Sequence, residues 1–123
     1  VVADLGSCLS ETAVAVLRRA TEVLVVAVPT LTGARDAYRS AAVVRRSVDS
    51  GTRVGLVVNR VVAGVDLDEV VADLRLPVLG CVPEDAELGA AENQRRLVTL
   101  DGHGGAAVAL RRLVATLAPA SVG

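Results

Sequence analysis

The stretch Val54-Gly55-Leu56-Val57-Val58-Asn59-Arg60 decides the fold. Five residues with almost no polarity run straight into an amide and a guanidinium, the form of a strand that is buried on both faces and surfaces at one end. Three other segments repeat that form. Val1-Val2-Ala3 ends in Asp4, residues 23–28 end in Pro29-Thr30, and residues 78–82 end in Pro83-Glu84-Asp85. Four such runs predict a parallel sheet with its carboxyl ends along one edge, which is where open α/β folds bind their ligands.

Between the strands the apolar spacing changes from continuous runs to threes and fours. Residues 11–22 predict a helix with Ser10 as N-cap and Ala13, Val14, Leu17 and Ala20 or Thr21 inward. Residues 33–49 predict the longest helix, with Ala34, Ala37, Tyr38, Ala41, Val44 and Val48 on its buried stripe and Gly51 as a left-handed cap. Asp66 and Glu69 have the spacing of a capping box for a short helix running to Leu74. Asp85 caps another through Arg96, residues 97–100 read as one more strand, and residues 104–118 form a closing helix with Ala107, Leu110, Leu113, Val114 and Leu117 inward. Residues 120–123 read as a frayed tail. The alternation predicts one α/β domain over residues 1–123: a mostly parallel sheet with helices on both faces.

Composition narrows the chemistry. The chain is 52% hydrophobic yet has one aromatic residue, Tyr38, so the core must be Val, Leu and Ala. With a formal charge of −1 and a pI near 5.8, and no platform for stacked bases, specific nucleic-acid recognition is not expected. All thirteen basic residues are arginine. The chain therefore offers no lysine nucleophile, Schiff base or phosphate-loop lysine, and no lysine to serve the acceptor Asp of a phosphorelay receiver. Cys8 and Cys81 stand far apart without a neighbouring His, the pattern of reduced, buried thiols in a cytoplasmic protein. No apolar run approaches the roughly 20 residues of a membrane span.

The candidate site residues stand at the strand ends. Asp4, followed by Leu5-Gly6, suits a carboxylate held out to Mg²⁺ through water, and equally a turn cap. Asn59 offers the donor and acceptor that read an adenine edge, or that satisfy a turn. Arg60 follows it. Pro83-Glu84-Asp85 offers a flat ring and backbone groups to a base, or a turn and a helix cap. Gly102-His103-Gly104-Gly105 imitates a phosphate loop but lacks Lys-Ser/Thr and reads as a loose connector with His103 in solvent. The arginine pairs 18/19, 45/46, 95/96 and 111/112 fall on predicted helices, as solvated faces or contacts for an acidic partner.

In order along the chain, these residues resemble the carboxyl-terminal half of the MinD/ParA family of deviant-Walker P-loop ATPases, in particular its CpaE/TadZ-like pilus-assembly and septum-site branch. Val1 to Gly6 resembles the Walker-B strand, and Ala34-Arg35-Asp36-Ala37 the helix after the Pro-Thr turn. Val57-Val58-Asn59-Arg60 resembles the adenine-reading strand, and Leu79-Gly80-Cys81-Val82-Pro83-Glu84-Asp85 the LGxIPED segment. The resemblance implies ATP and Mg²⁺ as cofactors, with Asp4 on the metal's water, Asn59 with Arg60 at the adenine, and the backbone of Pro83, Glu84 and Asp85 packing on the base. It also implies a nucleotide-sandwich homodimer or a missing amino-terminal half, and protein partners. Two departures accompany it: no Pro follows Asp4, and the Walker A loop belongs before Val1. ATP hydrolysis is accordingly not expected of this chain alone, since that loop supplies most of the stabilisation in phosphoryl transfer. The alternative expectation is a non-catalytic interaction module on the same sheet. If strands that belong beside residues 1–3 are absent, a raw hydrophobic sheet edge is expected as well.

Overall fold

The computed structural model of the protein describes residues 1–7 and 9–117. Three strands, β1 (Glu22–Ala27), β2 (Arg53–Val61) and β3 (Val78–Pro83), form one sheet in the order β1-β2-β3. Both pairings are parallel. The central strand is the one the sequence singles out: Gly55, Leu56, Val57 and Val58 are all buried. At Gly55 the missing side chain is a packing requirement, because a Cβ there would collide with the Leu79 side chain.

Period-2 alternation sorts the strand residues onto two faces. Val25, Ala27, Leu56 and Val58 meet Leu17, Ala37, Val44 and Leu74 on one face. These come from α1 (Glu11–Leu17), α2 (Leu31–Ser47) and the segment after α3 (Leu67–Val71). On the other face Val57 and Val82 meet Ala106, with Leu110 and Leu113 beside it, all from α6 (Gly105–Leu117). Two further helices, α4 (Ala86–Asn93) and α5 (Val98–Asp101), complete a small satellite around Ala91, Val98 and Ala107. The α/β class, the parallel pairing and the helices on both faces are as the sequence predicts.

Short polar side chains start the helices. Ser10 Oγ accepts from Ala13 N at 3.2 Å, Thr30 Oγ1 from Gly33 N at 2.9 Å, and Asp66 Oδ1 from Glu69 N at 3.2 Å. Each satisfies one of the orphan amides of a first turn.

Several boundaries differ from the sequence reading, each for a local reason. Residues 1–3 form no strand; Val1 and Val2 are fully exposed, and the chain joins the core only at Leu5 and Leu9. The first helix stops at Leu17, because Glu22 is drawn into the sheet by its pairing with Arg53. The second ends at Ser47 on an extended Val48, not on a left-handed Gly51. Tyr38 and Val114 are exposed, since the buried stripes run through Gly33, Ala37, Ala41 and Val44 and through Ala106 and Ala107. The strand expected over residues 97–100 is the single helical turn α5, held by Gly102 N donating to Val98 O at 2.7 Å and by the Arg96–Asp101 ion pair at 2.7 Å. A backbone wound into a helical turn does not present the extended edge that a sheet pairs with. Cys81 is a half-buried free thiol, whereas Cys8, Ala118 and the tail at 120–123 lie outside the described residues.

Candidate functional site

The carboxyl ends of β2 and β3 are stitched into one corner. Val61 lies opposite Pro83 in register, and Glu84 N donates to Val61 O at 2.9 Å, one step beyond the strands. Between Val58 and Val61 the ladder is irregular, and inside that irregularity Arg60 adopts φ +56°. A left-handed conformation costs a non-glycine residue roughly 1–2 kcal/mol, and strain of this kind persists where the surroundings over-determine it. Here the turn lets Arg60 N donate to Asn59 Oδ1 at 2.9 Å. Asn59, Arg60, Pro83 and Glu84 thus share a corner, with Arg60 and Glu84 exposed and Asn59 and Pro83 half-buried. The bond to Arg60 uses one lone pair of Oδ1 and neither hydrogen of Nδ2. Asn59 therefore keeps the acceptor and donor that an adenine edge requires.

Asp85, the fifth residue of the set, is turned inward. Its Oδ1 accepts from Glu87 N at 2.9 Å and caps α4, while Oδ2 accepts from Ala106 N at 3.1 Å in the first turn of α6. The Glu87 amide first, and the Ala106 amide second, hold its carboxyl below the usual carboxylate range, against a smaller opposing effect of burial. Hydrogen bonds to the charged form are the cause.

Glu87 was not singled out by the sequence, and it completes this clamp. Its Oε2 accepts from Gly104 N at 2.7 Å and its Oε1 from His103 N at 3.3 Å. Gly102-His103-Gly104-Gly105 is therefore no loose connector. Three amides there and in the first turn of α6 face the carboxylates of Asp85 and Glu87, so the positive end of the α6 dipole is answered from within the chain. A Cβ at Gly104 would strike both carboxylates. His103 is exposed, as expected. The signal in the sequence was the Glu two residues beyond a capping Asp.

Asp4 precedes α1 and takes no part in the bonds that build this corner. It is exposed, its Oδ1 accepts from Gly6 N at 3.0 Å, and Gly6 takes φ +68° to make that turn. It lines a groove of about 1440 Å³ that runs along β1. Mg²⁺ keeps several waters and needs only one or two carboxylates beside substrate phosphates. A single exposed carboxylate with a second oxygen to spare fits contact through water, and no group of three His, Cys, Asp or Glu suited to a metal exists among the described residues.

Several arginines are occupied within the fold. Arg45 donates to Leu74 O and to Arg75 O, Arg111 to Gly102 O at 2.8 Å, and Arg96 pairs with Asp101. Arg18 and Arg19 are exposed. No helix among the described residues is long and apolar enough to cross a membrane.

No family model and no curated protein matches the sequence. Solved structures do match the fold. The MinD cell division protein of Aquifex aeolicus superposes with a TM-score of 0.77 over 89% of this chain and 48% of its own, at 22% identity. A ParA family ATPase from Chlorobium tepidum TLS gives 0.72 over 89% and 46%, at 16% identity. The septum site-determining protein MinD of Pyrococcus horikoshii OT3, solved with Mg-ADP, gives 0.68 over 83% and 43%, at 18% identity. The chain spans less than half the length of each. Its fold is similar to part of theirs, a partial P-loop NTPase-like α/β fold.

Proposed function

We propose that this chain is the adenine-binding part of a MinD/ParA-like positioning ATPase, of the CpaE/TadZ-like branch that serves pilus assembly or septum placement. The observation that carries the reading is the corner at which Asn59, Arg60, Pro83 and Glu84 converge on adjoining strand ends. In this reading Asn59 Nδ2 and Oδ1 engage the adenine edge, and the backbone of Pro83 and Glu84 packs on the ring. Asp85 fixes that backbone from behind, and Asp4 holds Mg²⁺ through water. ATP·Mg, when bound, supplies the phosphates that drive closure of a nucleotide-sandwich dimer in the cytoplasm. The phosphate loop and its lysine come from a segment other than residues 1–123, since this chain contains no lysine.

Calorimetric titration of ATP·Mg into a form of the protein that carries a phosphate loop tests the adenine role. Asn59→Ala is expected to weaken binding by about 1–3 kcal/mol, the usual cost of an unmet polar partner. Unchanged affinity removes Asn59 from the site. A second reading, a non-catalytic interaction module on the same sheet, is favoured by the way Asn59 and Asp4 both satisfy backbone amides next to themselves. It predicts that the same titration gives no heat with the unsubstituted protein.

A further inference from the structure

Two helices of opposite charge lie side by side over one face of the sheet. Residues 31–47 hold Arg35, Arg39, Arg45 and Arg46 against Asp36 alone, whereas residues 66–73 hold Asp66, Asp68, Glu69 and Asp73 and no basic residue. Both segments sit on the same core cluster, through Ala37 and Val44 of α2 and Leu67 and Val71 of α3. Arg45 fastens them together by donating to the carbonyls of Leu74 and Arg75. At about 3.6 residues per turn, Arg35, Arg39 and Arg46 project opposite the buried stripe of Gly33, Ala37, Ala41 and Val44. Asp68, Glu69 and Asp73 are exposed on the neighbouring segment. Among the described residues, no carboxylate pairs with Arg35, Arg39 or Arg46, and no basic group pairs with Asp68, Glu69 or Asp73.

An apolar strip runs between the two charged ones. Leu31, Tyr38 and Arg45 recur every seven residues, close to two turns of helix. Because Arg45 reaches the end of the α3 segment, Leu31 and Tyr38 lie along the same side of α2, the side that faces α3. Neither is covered: Leu31 is 80% exposed and Tyr38, the one aromatic residue of the chain, is 54% exposed. An apolar centre with Tyr and Arg anchors and a charged rim is the anatomy of a protein interface.

We propose that the outer face of α2 and α3 is a self-recognition surface, whose occupant is a second copy of the chain related by a two-fold axis. Charge complementarity chooses the occupant. A wholly acidic partner would satisfy the arginines of α2 and be repelled by α3 beside them, and a wholly basic one would meet the converse. Only a surface that carries both signs in adjacent strips satisfies both helices, and this chain supplies one. A two-fold interface uses the same patch on both copies. One rotation therefore sets each arginine stripe against the carboxylates of the other copy and draws the two Tyr38 rings toward the axis. Asn59, Arg60, Pro83 and Glu84 take no part, so this association is independent of nucleotide and stands or falls apart from the proposed function.

Sedimentation velocity of the 123-residue chain, up to about 1 mM protein, tests the surface. At about 0.01 M salt, where charges act over about 30 Å, a monomer–dimer equilibrium is expected. At about 1 M salt, where they act over about 3 Å, its Kd should rise at least about tenfold. ATP·Mg should leave it unchanged. The decisive result comes from two charge-reversed variants. R35E/R39E/R46E makes both helices acidic and D68R/E69R/D73R makes both basic, so each alone should be monomeric while an equimolar mixture forms a 1:1 dimer. Tyr38→Ser, which leaves every charge in place, should weaken the dimer by about tenfold with its salt dependence retained, and it is the measure if a triple variant does not fold. Three results overturn the proposal: a chain that stays monomeric at low salt, a dimer that these substitutions leave intact, and a mixture that gives no 1:1 species or assembles beyond two copies.

Discussion

The two flanks of β2 are finished to different degrees. Toward β3 the sheet continues past its own strands: the Glu84–Val61 bond extends the ladder, Asp85 and Glu87 anchor the next helix to it, and α6 covers the face. Toward β1, which like β3 is bonded on one side only, the sheet stops at a six-residue strand with five apolar residues beside an open groove. Both flanks have the same Val/Leu chemistry, so hydrophobicity does not separate them. The difference is what the chain supplies next: after β3 a helix returns across the sheet, whereas residues 1–7 reach the vicinity of β1 without pairing.

The largest expected effect separates the two flanks directly. Leu56 is fully buried on β2 beneath α2, and Leu56→Ala should cost about 2–5 kcal/mol by urea denaturation, through lost transfer energy and the cavity left behind. Val26→Ala, on the open flank, should change stability by no more than about 0.5 kcal/mol. If the two losses are equal, β1 is covered in solution and the contrast is an error.

Much of the closed flank was legible in the residues. The run from Val54 to Arg60 announced a strand buried on both faces, and Asp66 and Asp85 announced helix starts by their position. The Asn59 and Pro83 strand ends were placed correctly relative to one another because a parallel sheet brings carboxyl ends together whatever the loops do. What the residues did not disclose were contacts between distant segments. Glu87 reaches Gly104 across seventeen residues, and no periodicity encodes that bond. Three-residue Val1-Val2-Ala3 has strand composition, but a strand exists only when something pairs with it, and composition carries no information about the neighbour. Residues 97–100 were misread for the converse reason: their β-like side chains are overruled by local bonds to Gly102 and Arg96.

A smaller effect probes how the closed flank is fastened. The amides of Glu87 and Ala106 lower the Asp85 carboxyl, so its stabilising contribution is complete above the unfolded value of about 3.9 and disappears as the pH falls through the lower folded value. Asp85→Asn turns one acceptor into a donor that faces the Ala106 amide. Thermal melts of the two proteins should differ most near neutral pH and converge below about pH 4, with the variant losing less on acidification. Parallel curves would mean that α6 is held by its apolar contacts alone.

The smallest effect belongs to the open flank. Arg53 and Glu22 pair at 2.6 Å across the first rung of the β1–β2 ladder, with the Arg53 side chain 67% exposed. Exposed pairs contribute about 0–1 kcal/mol, and salt screens them over about 10 Å at 0.1 M. Arg53→Gln should therefore lower stability by less than about 1 kcal/mol, and by less still in 1 M salt.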